Sequence, residues 1–381
     1  MLTVLIFLIL LSVLVLVHEL GHFVAAKKLG VTVEEFGLGL PPKVRRLFTW
    51  RGTEFTLNWL PLGGFVRMRG EDTGPDSPSA FGLQPLALEA KGFFYAQKPW
   101  KRAIILVAGV FMNLVLGVAA FTSVYTVLGI PEERDVVVID GVAPGSPAER
   151  AQLKPNDIVR ELRFTNYLPA DATRQALQAG DLRITSTSEF IDFINAHRGE
   201  EITLNIKRGQ ENKEIVITPR IESETPAGEG ALGVAISNIQ FIHYPWWQMP
   251  FRASVTGSKE ALGWGVNIIE GLGKMVSDLV THGKVPDDLA GPVGIARITG
   301  EVAKRGWIPL FQLAGILSIN LAVVNILPIP ALDGGRLLFL GIEKLRGKPI
   351  DPNKERIIHL SGYILLIILL ILVTFRDIFL T

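Results

Sequence analysis

The stretch Leu2-Thr-Val-Leu-Ile-Phe-Leu-Ile-Leu-Leu-Ser-Val-Leu-Val-Leu-Val17, continuing through His18-Glu-Leu-Gly-His22 into Phe23-Val-Ala-Ala26, decides how this chain is read. A helix rises 1.5 Å per residue, so crossing the hydrocarbon core of a bilayer takes roughly 20 mostly apolar residues. This run supplies them, with no charged side chain before His18. A cleaved signal peptide is the other reading of such a run, but a basic leading region and a small-x-small cleavage site are both missing, which favours a retained helix. His18, Glu19 and His22 then lie inside a predicted membrane helix, where ionisable groups are costly unless they serve a site.

The rest of the chain fits a membrane protein. Of its 381 residues 48% are hydrophobic and the mean hydropathy is +0.34, too apolar for a soluble enzyme of this length. The 38 basic and 37 acidic residues nearly cancel, so no global field argues for nucleic acid or an acidic partner. No cysteine is present, which excludes disulfides, thiol catalysis and a cysteine-bound metal. Three more apolar runs follow: Ile104 to Ile130, Leu310 to Ile329 with Pro328 and Pro330 at its end, and Ile357 to Phe375. Lys27, Lys28, Lys43, Arg45, Arg46, Lys98, Lys101 and Arg102 crowd the ends of the first two, and Lys344, Arg346, Lys348, Lys354 and Arg356 fill the loop between the last two. By the positive-inside rule these loops are cytoplasmic, and the stretch from about Pro131 to Trp307 faces the other side.

These runs predict an α-helical polytopic membrane protein with four transmembrane helices, a membrane-associated β-hairpin region and an inserted α+β domain. Residues 1–28 form the first span, 29–100 a cytoplasmic-side loop with β-structure, and 101–130 the second span. Residues 131–222 form the inserted domain, 223–306 a hinge and membrane-surface amphipathic helices, 307–345 the third span, and 346–381 a cytoplasmic loop and the fourth span. In the inserted domain, Val142-Ala-Pro-Gly-Ser-Pro-Ala148 and Leu153-Lys-Pro-Asn-Asp-Ile-Val159 resemble the turn, short helix and strand of a PDZ domain, with Ser188 to Ala196 as its second helix. Phe164 to Asp181 reads as an insertion, and no Gly-Leu-Gly-Phe type loop is evident, which counts against capture of C-terminal peptides. Tyr244 to Val280 mixes aromatic and charged residues and reads as helices at the membrane surface; Glu270 and Lys274 near its middle disfavour a further span.

The chemistry is concentrated at His18-Glu-Leu-Gly-His22. On a helix His18 and His22 share a face one turn apart, so both imidazoles reach one ion at about 2.0–2.1 Å. Glu19 beside them can take a proton from water, whose pKa zinc lowers from 15.7 to about 7. This is machinery for amide hydrolysis. Catalytic zinc usually has three protein ligands. His197, His243, His282 and His359 fall in or near outer or peripheral segments, which leaves Asp333 as the better candidate. It follows two prolines and precedes Gly334-Gly335, where unwound backbone would line a cavity; a solvated aspartate ending a helix is the alternative.

His18-Glu-Leu-Gly-His22 in the first span together with Asn325-x-x-Pro328-x-Pro330-x-x-Asp333-Gly in the third strongly resembles the site-2 protease family of intramembrane zinc metalloproteases. Leu60-Pro-Leu-Gly-Gly-Phe-Val-Arg-Met68, Gly291-Pro-Val-Gly-Ile295 and the outward PDZ-like domain are similar to its bacterial, RseP-like branch, in which some members carry two such domains where this chain has one. The resemblance implies His18, His22 and Asp333 as zinc ligands, Glu19 as general base, and Asn325, with Pro328 and Pro330, as holding substrate near the metal. It also implies that the glycine-punctuated segment Val31 to Met68 is a β-structure dipping toward the site, where an ordinary cytoplasmic hairpin is the plainer reading. The expected setting is the bacterial inner membrane, and the expected partners are the bilayer and single-span membrane proteins, such as anti-sigma factor stubs or remnant signal peptides. A membrane adaptor keeping a structural metal is the competing function, and the intact Glu19 speaks against it. A transporter would ask for polar residues along several spans or for repeated halves, and neither is seen.

Overall fold

A computed structural model describes residues 2–71, 92–164, 182–283, 290–348 and 350–379. The chain divides into two compact units, one made of Met1–Val127 and Pro250–Thr381, the other of Leu128–Met249.

The first unit is helical apart from one hairpin. It contains α1 (Leu2–Leu29), β1 (Val33–Trp50), β2 (Thr53–Met68) and α2 (Pro99–Leu128). After the second unit come α5 (Met249–His282), α6 (Pro292–Lys304), α7 (Trp307–Ile326), α8 (Asp333–Arg346) and α9 (Pro352–Phe379). Among the described residues four helices are long and apolar enough to cross a membrane: α1, α2, α7 and Asn353–Phe379 of α9. Their outward side chains are apolar, as in Leu5, Ile9 and Val13 of α1 and Ile364, Leu365 and Leu372 of α9. That is the surface a helix needs in hydrocarbon, with every backbone bond made internally.

The spans differ in extent from the apolar runs. α2 starts at Pro99, which suits a first helical turn where no N–H is needed, and stops before Gly129, whose φ is +98°. α9 begins and ends beyond Ile357 to Phe375, because polar residues continue a helix that hydropathy alone no longer marks. α7 ends at Ile326, three residues earlier than expected. Leu327 is extended (φ −62°, ψ 143°), as the residue before Pro328 is steered to be. Residues 327–332 run non-helically, and a new helix, α8, starts at Asp333.

β1 and β2 pair antiparallel and fold back on themselves, so that Phe36 pairs with both Val66 and Phe55. Gly63 and Gly64 let β2 lie directly on Val15 and Leu16 of α1. Phe23, Ala26, Val33, Phe36, Met68, Ile105, Leu106 and Leu340 form a buried cluster joining the hairpin to α1, α2 and α8. At the other end of the unit Asp377 of α9 accepts the N–H groups of Gly291 (3.2 Å) and Gly294 (2.7 Å), capping α6, which has no side-chain cap of its own. α5 lies on α2 through Gly257, where a Cβ would meet Thr122 and Phe121, and Ala253 and Ala261 on the same stripe are buried.

The second unit holds β3 (Ile130–Val142), α3 (Pro147–Arg150), β4 (Ile158–Phe164), β5 (Leu182–Arg183), α4 (Thr187–Ala196), β6 (Ile202–Arg208), β7 (Glu211–Ile217) and β8 (Val234–Ile242). Its sheet runs β7-β6-β4-β3-β8, with β5 pairing β4. Both helices start at Ser-x-x-Glu: Ser146 accepts from the N–H of Glu149 and Ser186 from that of Glu189, and each glutamate reaches back to the preceding backbone N–H. The core is Val137, Ile139, Leu162, Phe190, Leu204, Ile206, Leu232 and their neighbours. The sheet takes in β8, beyond residue 222 where the sequence puts the end of the inserted domain. The expected insertion at Phe164 to Asp181 falls almost wholly outside the described residues.

Candidate metal centre

The site forms where α1, α2 and the start of α8 meet within the first unit. His18 and His22, on one face of α1, point together with ring centroids 4.7 Å apart and nearly perpendicular planes (81°). Both are buried at 6% exposure, among apolar helices. The Asp333 Oδ2 atom is 3.0 Å from His18 Nε2 and 3.3 Å from His22 Nε2, and the two Nε2 atoms are 3.0 Å apart. Among the described residues these three are the group whose ligand atoms all lie within 4.8 Å of one another.

Hydrogen bonding alone does not account for this triangle. An imidazole nitrogen offers one hydrogen or one lone pair. On His18 Nε2 three polar atoms converge, the third being Asn325 Nδ2 at 3.3 Å. Ligands about 2.05 Å from a tetrahedral zinc stand about 3.3 Å apart, so the donor spacing suits that ion. The donor set, two imidazoles and one carboxylate, is also one that catalytic zinc uses. His22 is oriented for it: its Nδ1 lies 2.8 Å from the Ile105 carbonyl, which can only accept, so the hydrogen sits on Nδ1 and the Nε2 lone pair faces the cluster.

The backbone explains how Asp333 arrives there. With Pro328 and Pro330 the turn cannot continue α7, and Ala331 takes φ +80°, a region costly to any residue with a Cβ. Its N–H donates to Nδ1 of His359 on α9 at 3.0 Å, and that ring packs on Phe339 at 5.2 Å. Gly334 permits the tight return, because a Cβ there would run into the carbonyls of Ile326 and Leu327. Arg336, one turn into α8, is ion-paired with Glu71 just after β2. Glu19, one residue after His18, is half-buried.

Of the residues singled out in the sequence, His18, His22 and Asp333 meet, Asn325 touches them, and Glu19 stands alongside. Pro328 and Pro330 shape the turn and offer no donor atom. Three contributors were not anticipated. Gly109 of α2 faces both rings, and a Cβ there would lie 2.7 Å from His18 Cε1 and closer still to His22 Nε2. Asn113, one turn further along α2, places its amide 3.2 Å from His18 Nδ1. His359, which the sequence places in or near an outer or peripheral segment, accepts the Ala331 N–H. A lone amide and a histidine inside apolar runs were the available signals.

Residues 6–369 match the description Peptidase family M50. The chain is 31% identical to the zinc metalloprotease RasP of Geobacillus kaustophilus, over 98% of this chain and 96% of that protein. It is 29% identical to zinc metalloprotease RasP of Oceanobacillus iheyensis, over 99% of both chains. It is 28% identical to the regulator of sigma-W protease RasP of Bacillus subtilis, over 99% of this chain and 98% of the relative.

Proposed function

The chain belongs to peptidase family M50 and is an intramembrane metalloprotease, and from that premise we propose that it cuts single-span membrane proteins at a zinc ion held by His18, His22 and Asp333. The observation that carries this reading is the convergence of three donor atoms within 3.0–3.3 Å of one another, on helices α1 and α8. Zinc bound there supplies a Lewis acid and a water of pKa about 7.

The chain's own groups do the rest. Glu19 takes the proton from the attacking water and hands it to the departing amine, which keeps charge from accumulating on either. Asn325, at the last turn of α7, turns its amide toward the cluster and donates to the substrate backbone, while Pro328 and Pro330 keep the adjoining segment unwound so that a peptide has room. A substrate helix must first be opened, because its amides are otherwise bonded within the helix. The β1–β2 sheet, which lies on Val15 and Leu16 of α1, offers an edge on which an extended segment can lie.

The basic loops around Lys27, Arg45, Lys101 and Lys348 support, by the positive-inside rule, a metal side facing the cytoplasm of a bacterial inner membrane and an outward-facing second unit, read as PDZ-like. The name of the Bacillus subtilis relative, a regulator of sigma-W protease, supports anti-sigma factor stubs as substrates, with remnant signal peptides as the other class of suitable length. The test is cleavage of a purified single-span stub in proteoliposomes. Stripping the metal with a chelator should stop cleavage and stoichiometric zinc should restore it; cleavage that survives metal removal would overturn the proposal.

A further inference from the structure

Asn113 is the one amide in α2, fully buried, and its backbone carbonyl accepts the Ser318 hydroxyl of α7 at 2.7 Å. Its side chain lies against His18 Nδ1 with Nδ2 at 3.2 Å, while Oδ1 has no partner among the described residues. In that orientation Nδ2 donates to Nδ1, so Nδ1 must carry the lone pair and Nε2 the hydrogen. Such a ring cannot offer Nε2, the atom on which Asp333, His22 and Asn325 converge, to a metal. The two ends of an amide have the same shape, and a half-turn of the group exchanges them. Either orientation leaves one end of the amide short of a partner, so the ring decides between them.

His22 gives the pattern, with Nδ1 against the Ile105 carbonyl, a group that only accepts. Ile105, Gly109 and Asn113 stand four residues apart on α2 and form one face, which serves both imidazoles: an acceptor for His22, clearance for the two rings, and an amide for His18. We infer that Asn113 is a positioning residue of the metal centre, its side-chain carbonyl accepting the Nδ1–H of His18 and thereby fixing the tautomer that presents Nε2 to the metal. This rests on the zinc reading above. Removal of such an outer partner typically weakens metal binding about 10–100-fold.

The test compares zinc dissociation constants, by chelator competition on the full-length detergent-solubilised protein, with the thermal stability of each metal-free form. Asn113→Asp keeps an acceptor facing Nδ1 and, when ionised, cannot donate; it should bind zinc within about threefold of the unsubstituted protein or more tightly. Asn113→Leu removes the acceptor and should bind about 10–100-fold more weakly. Ser318→Ala loosens the packing behind Asn113 while leaving its amide, and should hold zinc normally. Unchanged zinc affinity in Asn113→Leu, or a tenfold loss in Asn113→Asp, would overturn the inference, and the Asp variant decides alone if the Leu variant does not fold. Unsubstituted protein that holds no zinc would instead remove the metal reading itself.

Discussion

Replacing His359 with leucine should weaken zinc binding from a distance. Ala331 sits at φ +80°, which costs about 1–2 kcal/mol for a residue with a Cβ. Its N–H donates to His359 Nδ1 at 3.0 Å. Leucine fills much of the space beside Phe339 but accepts nothing, so a partly buried N–H is left unpaired, at about 1–3 kcal/mol. Asp333 follows two residues later, and if that energy is felt as loss of the turn that delivers its carboxylate, zinc affinity falls about 5- to 150-fold at 1.4 kcal/mol per tenfold. His359→Asn keeps an acceptor near the Nδ1 position and should lose much less. The assay is chelator competition for zinc, read beside the melting temperature of the metal-free protein. Normal zinc affinity in His359→Leu, or equal losses in the Leu and Asn variants, would refute the argument that this hydrogen bond holds the ligand-bearing turn.

Two further predictions concern the site and the second unit. Asp333→Ala should lower zinc occupancy and cleavage together, whereas Asn325→Ala should keep zinc and weaken substrate handling, with metal content and stub cleavage measured on both; full zinc in a folded Asp333→Ala protein would send the search for a third ligand elsewhere. If the second unit acts by excluding bulky substrates rather than by binding their tails, replacing residues 130–248 with a flexible linker should admit full-length, untrimmed substrates and leave cleavage of short stubs largely intact. Loss of stub cleavage in a zinc-loaded protein of this kind would make the domain a recruiter.

The spans and the histidine pair were legible because each is a local pattern. Apolar length marks a membrane helix, and two histidines four apart on a helix must share a face. The extent of the spans was less so: hydropathy registers side chains, while α7 ends through the backbone restriction Pro328 places on Leu327, and α9 runs on through polar residues. The contributions of Gly109, Asn113 and His359 are long-range. Each lies far along the chain from the residue it serves, and only the packing of α2 on α1 and of α9 on the Ala331 turn brings them together. Strand β8 escaped for a similar reason, since its partner β3 lies about a hundred residues earlier, and the polar, glycine-rich segment before it reads as a linker.

On the proposed mechanism, Glu19 moves a proton beside a metal held by three other residues. Glu19→Gln preserves the size of the side chain and removes its basicity, so metal content and cleavage of a single-span stub, measured on the same preparation, separate the roles. The expected result is one zinc per chain, as in the unsubstituted protein, with cleavage abolished. Cleavage retained by Glu19→Gln would contradict it, and loss of the zinc would make Glu19 a ligand in place of a base.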